Sequence, residues 1–161
     1  MGTDKEDYVI ASDTDSVYVV LDRYVNQKFK SEPETTTVIN ELDRFAKEDI
    51  EPIIDKSYQN LASYLNCHSQ RMNMKREVIA DKGIWTAKKR YILNAHDVEG
   101  VRYKEPTLKI MGIEAVKSST PAPCRQKIKE ALKIIMSGDE KMLNTFIPVS
   151  YTHLRAHETT N

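Results

Sequence analysis

The chain has 161 residues, which leaves room for one domain or for a small domain and part of another. Basic and acidic residues both number 24, so overall charge does not indicate nucleic acid and only local charge can support such a partner. Two cysteines without zinc-type spacing favour a reducing compartment, and no apolar run is long enough to predict a membrane span.

The first predicted element is a β-hairpin whose tip carries two carboxylates. Residues 8–11 and 17–20 are rich in β-branched residues and tyrosine, a composition typical of strands packed on a core, and they flank Asp13-Thr14-Asp15-Ser16. An Asp-x-Asp motif alone is more often a solvated turn, but an ordinary hairpin turn favours Asn-Gly or Asp-Gly. Carboxylates on a buried hairpin are costly to desolvate unless a hard cation such as Mg²⁺ compensates. Asp13 and Asp15 are therefore candidate metal ligands.

The middle of the chain predicts a long helix followed by strands. Residues 22–34 are polar and lysine-rich, which predicts a short irregular connection. A helical period then runs from about Thr37 to Leu65, with a kink or break expected near Ile50 because Pro52 removes a backbone donor. Residues 72–80, 84–95 and 107–111 have strand composition, with a turn predicted at residues 81–83.

Two helices are predicted after these strands. Thr120 is a plausible N-cap with Pro121 at the first helical position. The helix that follows has apolar residues on one side: Ile128, Leu132, Ile135 and Met136. A short helix is predicted at residues 140–147, after Gly138. The order of elements predicts an α+β fold class, an antiparallel sheet with helices packed on one face.

Residues 148–161 depart from this pattern. Eleven consecutive residues, 149–159, match the peptide produced when a common transposon-type sequencing adapter is translated in one frame. We therefore interpret residues 148–161 as an assembly artefact and exclude them from the fold prediction. His153 and His157, which have the spacing of a helical metal pair, are excluded with them.

A basic segment, Lys88-Lys89-Arg90-Tyr91, is the second candidate site. If it lies within a strand, Lys89 and Tyr91 share one face and Lys88 and Arg90 the other, an arrangement that suits a phosphate backbone or base edge. A basic strand edge that only discourages aggregation is an equal alternative. Glu77 is a candidate accessory carboxylate that could approach the aspartate pair or be neutralised by Arg76.

Together, the acidic hairpin and the basic segment indicate phosphoryl or nucleotidyl transfer. In two-metal chemistry, carboxylates hold two ions that clamp the attacking and leaving oxygens. One Asp-x-Asp cannot hold two ions alone, so a further carboxylate must come from elsewhere.

These motifs resemble those of a family B DNA polymerase of the T-even bacteriophage type. The residues that carry the resemblance follow one another in the family's order and span about residues 8–147: the hairpin motif at 13–16, Lys75-Arg76-Glu77, the basic motif at 88–91, and the palm–thumb junction at 108–112 and 118–121. The resemblance divides the chain into the C-terminal part of the polymerase palm (1–106), the palm–thumb junction and first helices of a helical thumb (107–147), and the artefact (148–161). It implies an antiparallel palm sheet.

The resemblance also implies roles for individual residues. Asp15 would be a principal ligand of two Mg²⁺ ions, and Asp13, close by, would have a lesser or supporting role. Lys89 and Tyr91, within the basic motif 88–91, would contact primer–template DNA, and Lys109 would reach the minor groove. The implied partners are DNA and dNTPs, with a sliding clamp as a further candidate for the full-length protein, and the implied location is the host cytoplasm during viral replication.

Three departures from the family pattern limit the resemblance. Ala11-Ser12 stands where the family usually has Tyr-Gly, and a Gly/Pro-rich insertion before Trp85 is shortened to residues 81–83. The earlier palm motif with the other metal-binding aspartate is absent, so we expect a fragment without activity of its own. A non-catalytic DNA-binding module is the alternative, and a metal-dependent nuclease would need a carboxylate cluster that the sequence lacks.

Overall fold

The computed structural model describes residues 7–31 and 33–158, with side chains described through residue 150. The strands are β1 (Val9–Asp13), β2 (Ser16–Val19), β3 (Val78–Ala87), β4 (Arg90–Val98) and β5 (Val101–Met111). The helices are α1 (Asp22–Lys28), α2 (Thr35–Phe45), α3 (Glu51–Tyr64), α4 (Ala122–Ser137) and α5 (Glu140–Glu158). A π-helical segment, Ala46–Ile50, joins α2 to α3, and a 3₁₀ turn, Glu114–Val116, precedes α4.

The α+β class predicted from the sequence is confirmed. The strands form two sheets, an antiparallel pair β1-β2 and a three-stranded antiparallel sheet of order β3-β4-β5. Contacts divide the chain into two compact units: Met1–Ile79 with Asp97–Arg102, and Ala80–His96 with Tyr103–Asn161. No helix in the described ranges is both long enough and apolar enough to cross a bilayer.

The hairpin prediction was right about the strands and wrong about their burial. β1 and β2 pair with Asp13 opposite Ser16, as the sequence predicts. Val9, Ile10 and Val17 are nonetheless exposed. The apolar composition indicated a buried hairpin, but within the described residues no third strand pairs with either edge.

The connection predicted at residues 22–34 contains a helix, α1. Its stability comes from tertiary contacts: the Tyr24 ring stacks on Phe45 of α2 with centroids 4.0 Å apart, and its hydroxyl donates to Glu41 at 2.7 Å. At the position of the predicted kink or break the chain stays helical, but its hydrogen bonding changes to π-helical over Ala46–Ile50, just before Pro52 in the first turn of α3.

The predicted turn at residues 81–83 was wrong. These residues belong to the continuous strand β3, and residues 72–77, predicted as strand, precede it without regular structure. The polar side chains that indicated a turn instead form hydrogen bonds within the second unit. Asp81 accepts from Asn94 at 2.8 Å, and Lys82 donates to the carbonyl of Met136 at 3.0 Å. A Cβ on Gly83 would lie 2.6 Å from the Trp85 ring, so glycine leaves room for the indole.

The actual β3–β4 turn is Lys88-Lys89, and the β4–β5 turn is Glu99-Gly100. Both residues of the second turn have positive φ, 52° and 86°, as a type I′ turn requires.

This second turn gives a small stability prediction. Asparagine adopts positive φ more readily than glutamate, so we expect Glu99→Asn to raise the free energy of unfolding by about 0.5 kcal/mol in urea titrations. Glu99→Gln removes the same charge without the preference and should leave stability unchanged. Equal effects of the two variants would show that charge, not turn conformation, is responsible.

The core of the second unit lies between the sheet and α4. Ile92, Ala115, Leu132 and Met136 are buried together, with Ile84, Leu108, Ile110, Ile113 and Ile128 packed against them. The predicted apolar side of α4 is confirmed except at Ile135, which is 40% exposed, while Ile134 is buried instead. α4 also contacts α5, so the helix buries residues on more than one side.

The ends of α4 and α5 differ from the prediction. α4 begins at Ala122 with Pro121 at the N-cap position and no side-chain cap, so Thr120 is not the N-cap and Pro121 is not the first helical residue. Gly138 ends α4 in the left-handed conformation, φ 79°. Asp139 then caps α5 by accepting from the amide of Met142 at 2.8 Å. α5 continues past residue 147 to Glu158, and the side chains of His153 and His157 lie outside the described residues.

Candidate functional site

The aspartate pair lies at the tip of the β1–β2 hairpin, where a tight turn directs it. The amide of Asp15 donates to the carbonyl of Asp13 at 2.6 Å across Thr14, whose φ is 51°. This is the hydrogen bond of a γ-turn, and a β-branched residue at positive φ is an uncommon, strained conformation. The hydroxyl of Ser16 also donates to the carbonyl of Asp13, at 3.2 Å. The backbone thereby places one carboxylate at the end of β1 and the other in the two-residue turn that follows it.

The surroundings of the two carboxylates fit a hard cation. Asp13 is half-buried, and among the described residues its carboxylate accepts one hydrogen bond, from the Thr14 hydroxyl at 3.2 Å, while Asp15 is exposed. Within the described ranges no hydrogen bond or ion pair engages the Asp15 side chain. Mg²⁺ is commonly held by one or two carboxylates together with water and substrate phosphates. The donor set fits Mg²⁺ but is incomplete for two ions.

Glu77 does not complete this set. The described residues contain no cluster of three or more carboxylate, imidazole or thiol groups, so Glu77 does not join Asp13 and Asp15 in one. Its side chain is exposed, and its carbonyl accepts from the amide of Glu99 at 2.6 Å. Arg76, the other candidate partner of Glu77, forms ion pairs with Asp43 and Asp97.

The basic segment is a turn rather than the middle of a strand. Lys88 and Lys89 occupy the two turn positions, with Lys89 at φ 61°, so the predicted alternation of faces does not hold across them. Both lysines and Arg90 are exposed. Neither lysine ammonium group makes an ion pair with another described residue. Two adjacent exposed cations at a hairpin tip can reach phosphates.

Tyr91 behaves differently from its basic neighbours. It begins the buried run of β4, is 9% exposed, and lies 6.5 Å from the Trp85 ring centroid. The resemblance implied that Tyr91 contacts primer–template DNA, but its side chain is largely buried in the fold. Lys109 lies on β5 and is half-buried.

A close backbone contact joins the basic turn to the end of β5. Gly112, one residue past the strand, faces the carbonyl of Lys89 at a position where no Cβ would fit. The turn and the strand that carries Lys109 are thus in direct contact.

A buried ion network in the first unit has no counterpart among the sequence motifs. Asp97 is 1% exposed and accepts from Arg76, from Arg102 at 2.8 Å and from the amide of Gly100 at 3.0 Å. Arg76 also pairs with Asp43 at 2.7 Å. Burial raises the pKa of Asp97, but the hydrogen bonds from Arg76, Gly100 and Arg102 outweigh it and lower the pKa below its usual range. Asp97 stays ionised and connects the β4–β5 turn to residues on either side of α3.

A second charged group holds α1 on α2. Hydrogen bonds from Arg44 and then Tyr24 lower the pKa of Glu41 to about 2. Hydrogen bonding to Glu41 raises the pKa of the Tyr24 hydroxyl. Tyr24, Glu41 and Arg44 therefore form one hydrogen-bonded group that connects α1 to α2.

Comparison with known proteins decides the family. A model of divergent family B DNA polymerases matches residues 3–145. The chain belongs to this family. It is 42% identical over 148 residues to the DNA-directed DNA polymerase of Escherichia phage RB69 and 39% identical over 154 residues to that of Enterobacteria phage T4. These matches cover 86% and 88% of the chain but only 16% and 17% of the relatives, so the chain spans about one sixth of their length.

The family match agrees with the resemblance seen in the motifs. The matched range contains the aspartate hairpin, the basic turn, α4 and the start of α5. It ends at Thr145, before the segment 148–161 that resembles a translated adapter.

Proposed function

We propose that this chain is part of a template-directed DNA polymerase that adds deoxynucleotides to a primer 3′ end. The observation that carries the proposal is the family match over residues 3–145, a range that includes the turn-directed aspartate pair, together with 42% and 39% identity to two phage DNA-directed DNA polymerases. In the reaction the primer 3′-oxygen forms a bond to the α-phosphorus of a dNTP, and pyrophosphate leaves. DNA, dNTPs and a location in the host cytoplasm during replication belong to this proposal, with a sliding clamp as a further partner of the full-length protein.

Within the proposal, Asp15 is the principal metal ligand and Asp13 the supporting one. Mg²⁺ bound there would neutralise charge on the phosphates and lower the pKa of the attacking hydroxyl. The hairpin holds the two carboxylates in a fixed orientation, and the exposed Asp15 tip leaves room for a triphosphate. Because the described residues hold no third ligand nearby, the remaining carboxylate would come from outside them, and we expect the 161-residue chain alone not to polymerise DNA.

The residues 1–106 would form the C-terminal part of the palm, and 107–147 the palm–thumb junction and first thumb helices. Lys88, Lys89 and Arg90 would contact the DNA backbone, Tyr91 would contact the primer–template with the small part of its side chain that is exposed, and Lys109 would approach the minor groove. Exposed lysines bind phosphates without reading sequence, which suits an enzyme that must accept any template.

A segment exchange tests the function directly. We expect the RB69 polymerase to keep primer extension when its matching segment is replaced by residues 3–145 of this chain, because at 42% identity the hairpin tip and the basic turn should occupy equivalent positions. The control exchange carries the same segment with Asp13 and Asp15 both changed to Asn. Extension by neither chimera, with both folded and binding DNA, would contradict the proposal. DNA binding without any extension would favour the alternative, a non-catalytic DNA-binding module.

A further inference from the structure

The contact between Gly112 and the basic turn is closer than any other residue would allow. A Cβ built on Gly112 would lie nearer to the carbonyl oxygen of Lys89 than 3.0 Å, a separation that real Cβ atoms essentially never show. It would also lie 3.2 Å from the carbonyl carbon of Lys89 and 3.1 Å from Cγ of Arg90. Because the nearest atom belongs to the backbone, a side chain at position 112 could be accommodated only by moving the turn or the strand end.

The turn itself is held in an unusual conformation. Lys89 has φ 61° at the third position of its turn, where positive φ normally selects glycine or asparagine. Such conformations persist only when the surrounding structure fixes them, and the carbonyl of this residue is the atom that meets Gly112. Gly112 also has positive φ, 67°. Two left-handed residues, Lys89 and Gly112, therefore pack backbone to backbone, and one of them belongs to the exposed Lys88-Lys89 turn.

The other described glycines with positive φ show that conformation alone does not explain this contact. Gly100 and Gly138, at φ 86° and 79°, have nothing within 4 Å of a Cβ position. Gly100 and Gly138 provide the positive φ that a turn and a helix end need, and no atom lies close to either. Gly112 has the same kind of φ and also packs directly against the Lys89 carbonyl.

We propose that Gly112 is a positioning residue for DNA binding: its lack of a side chain lets the end of β5 hold the Lys88-Lys89 turn so that both ammonium groups meet the phosphate backbone of a duplex. The inference rests on the proposed function, in which this turn contacts primer–template DNA. Gly112 acts through the turn and touches no DNA itself.

The test measures how DNA affinity depends on salt. Fluorescence anisotropy with a labelled primer–template gives the slope of log Kobs against log [KCl] for the full 161-residue chain. We expect Lys88→Ala with Lys89→Ala to reduce the magnitude of the slope by about 2, and Gly112→Ala to reduce it by about 1, because displaced lysines release fewer counterions. In the triple variant the reduction should stay at about 2, since both lysines that Gly112 is proposed to position are already absent.

Gly138→Ala is the matched control, because it imposes the same positive-φ strain without a clash and should leave the slope unchanged. A change in folded fraction alone alters the apparent binding capacity but not the slope. If the unmodified chain shows no binding, or the double lysine variant keeps the full slope, the DNA contact of the proposed function is contradicted. If the lysine variant loses slope while Gly112→Ala keeps it, only the positioning role is overturned.

A second variant covers the case in which Gly112→Ala does not fold. Lys89→Gly lets the turn move away from the new Cβ, so it should raise the thermal midpoint of a partly folded Gly112→Ala chain by more than it raises the midpoint of Gly138→Ala or of the unmodified chain. Independent effects of positions 89 and 112 on the midpoint would show that the contact does not hold the turn, and would overturn the proposal.

Discussion

Asp15→Asn in the chimeric polymerase that carries residues 3–145 is expected to lower kcat for primer extension by about a thousandfold, or about 4 kcal/mol of transition-state stabilisation. The amide has the shape of the carboxylate but no charge with which to hold a cation. Because no hydrogen bond or ion pair within the described residues depends on the Asp15 side chain, the hairpin should keep its conformation. DNA affinity should change little, since the lost group binds metal rather than DNA.

Single-turnover extension at saturating dNTP measures this effect, and a Mg²⁺ titration separates the two aspartates. We expect Asp13→Asn to cost less in rate and to shift the Mg²⁺ concentration needed for half-maximal activity upward, as suits a supporting ligand. Asp55→Asn, an exposed carboxylate on α3, controls for the loss of one negative charge and should extend normally. Near-normal turnover of Asp15→Asn would remove Asp15 from the metal site.

The hairpin and its aspartates could be predicted from sequence because the information is local. Two apolar, β-branched runs joined by a short acidic turn specify a hairpin, and the register that pairs Asp13 with Ser16 follows from the short turn. Burial of the same hairpin could not be predicted, since it depends on strands that would have to pair with its edges.

The misplaced turn shows where local reasoning fails. Asp81-Lys82-Gly83 has turn composition, and Lys88-Lys89 does not, yet the chain reverses at the lysines. Residues 81–83 are held in the strand by partners elsewhere in the chain. Asp81 is hydrogen-bonded to Asn94, Lys82 is hydrogen-bonded to Met136, and the Trp85 ring packs against Gly83. The backbone of Lys89, which is left-handed, packs against Gly112, which lies far along the sequence and is also left-handed. Tertiary partners therefore override turn propensity at both places.

The resemblance to known motifs predicted the family correctly because motif order carries more information than any single motif. It did not predict which neighbours support the motifs. Arg76 was considered only as a partner for Glu77, whereas the structure commits its guanidinium to Asp43 and Asp97. No periodicity relates positions 43, 76, 97 and 102, so the ion network becomes visible only in three dimensions.

Asp97→Asn should be among the most destabilising single substitutions in the described part of the chain. Removing one partner from a buried ion pair typically costs about 3–5 kcal/mol, because the opposite charge stays buried without compensation. Asp97 is 1% exposed and Arg76 10%, so Arg76 would keep only Asp43 as an anionic partner among the described residues. Urea titration at pH 7 gives the free energy of unfolding. Asp49→Asn, which breaks an exposed ion pair of 3.8 Å with Arg44, should cost less than about 1 kcal/mol.

The pH dependence of the same variant identifies the charge as the cause. An aspartate in the unfolded chain titrates at about 3.9, and the pKa of Asp97 in the folded chain lies lower. A carboxyl with a depressed folded pKa contributes stability fully above its unfolded pKa and loses it as pH falls through the folded pKa. The gap in unfolding free energy between the native chain and Asp97→Asn should therefore be constant from about pH 7 to 5 and narrow progressively below about pH 4.

Acid sensitivity should decrease in Asp97→Asn but not vanish, because the pKa of Asp43 is also lowered, first by the hydrogen bond from Lys47 and then by Arg76 against the opposing effect of burial. A gap that stays constant down to about pH 3 would mean that the substitution acts through shape or packing rather than through lost charge. In that case Arg102→Gln, which removes a 2.8 Å partner that is itself 39% exposed, should also leave acid stability unchanged. A narrowing gap, together with a reduced acid dependence in Arg102→Gln, would show that ionised Asp97 holds the β4–β5 turn through both arginines.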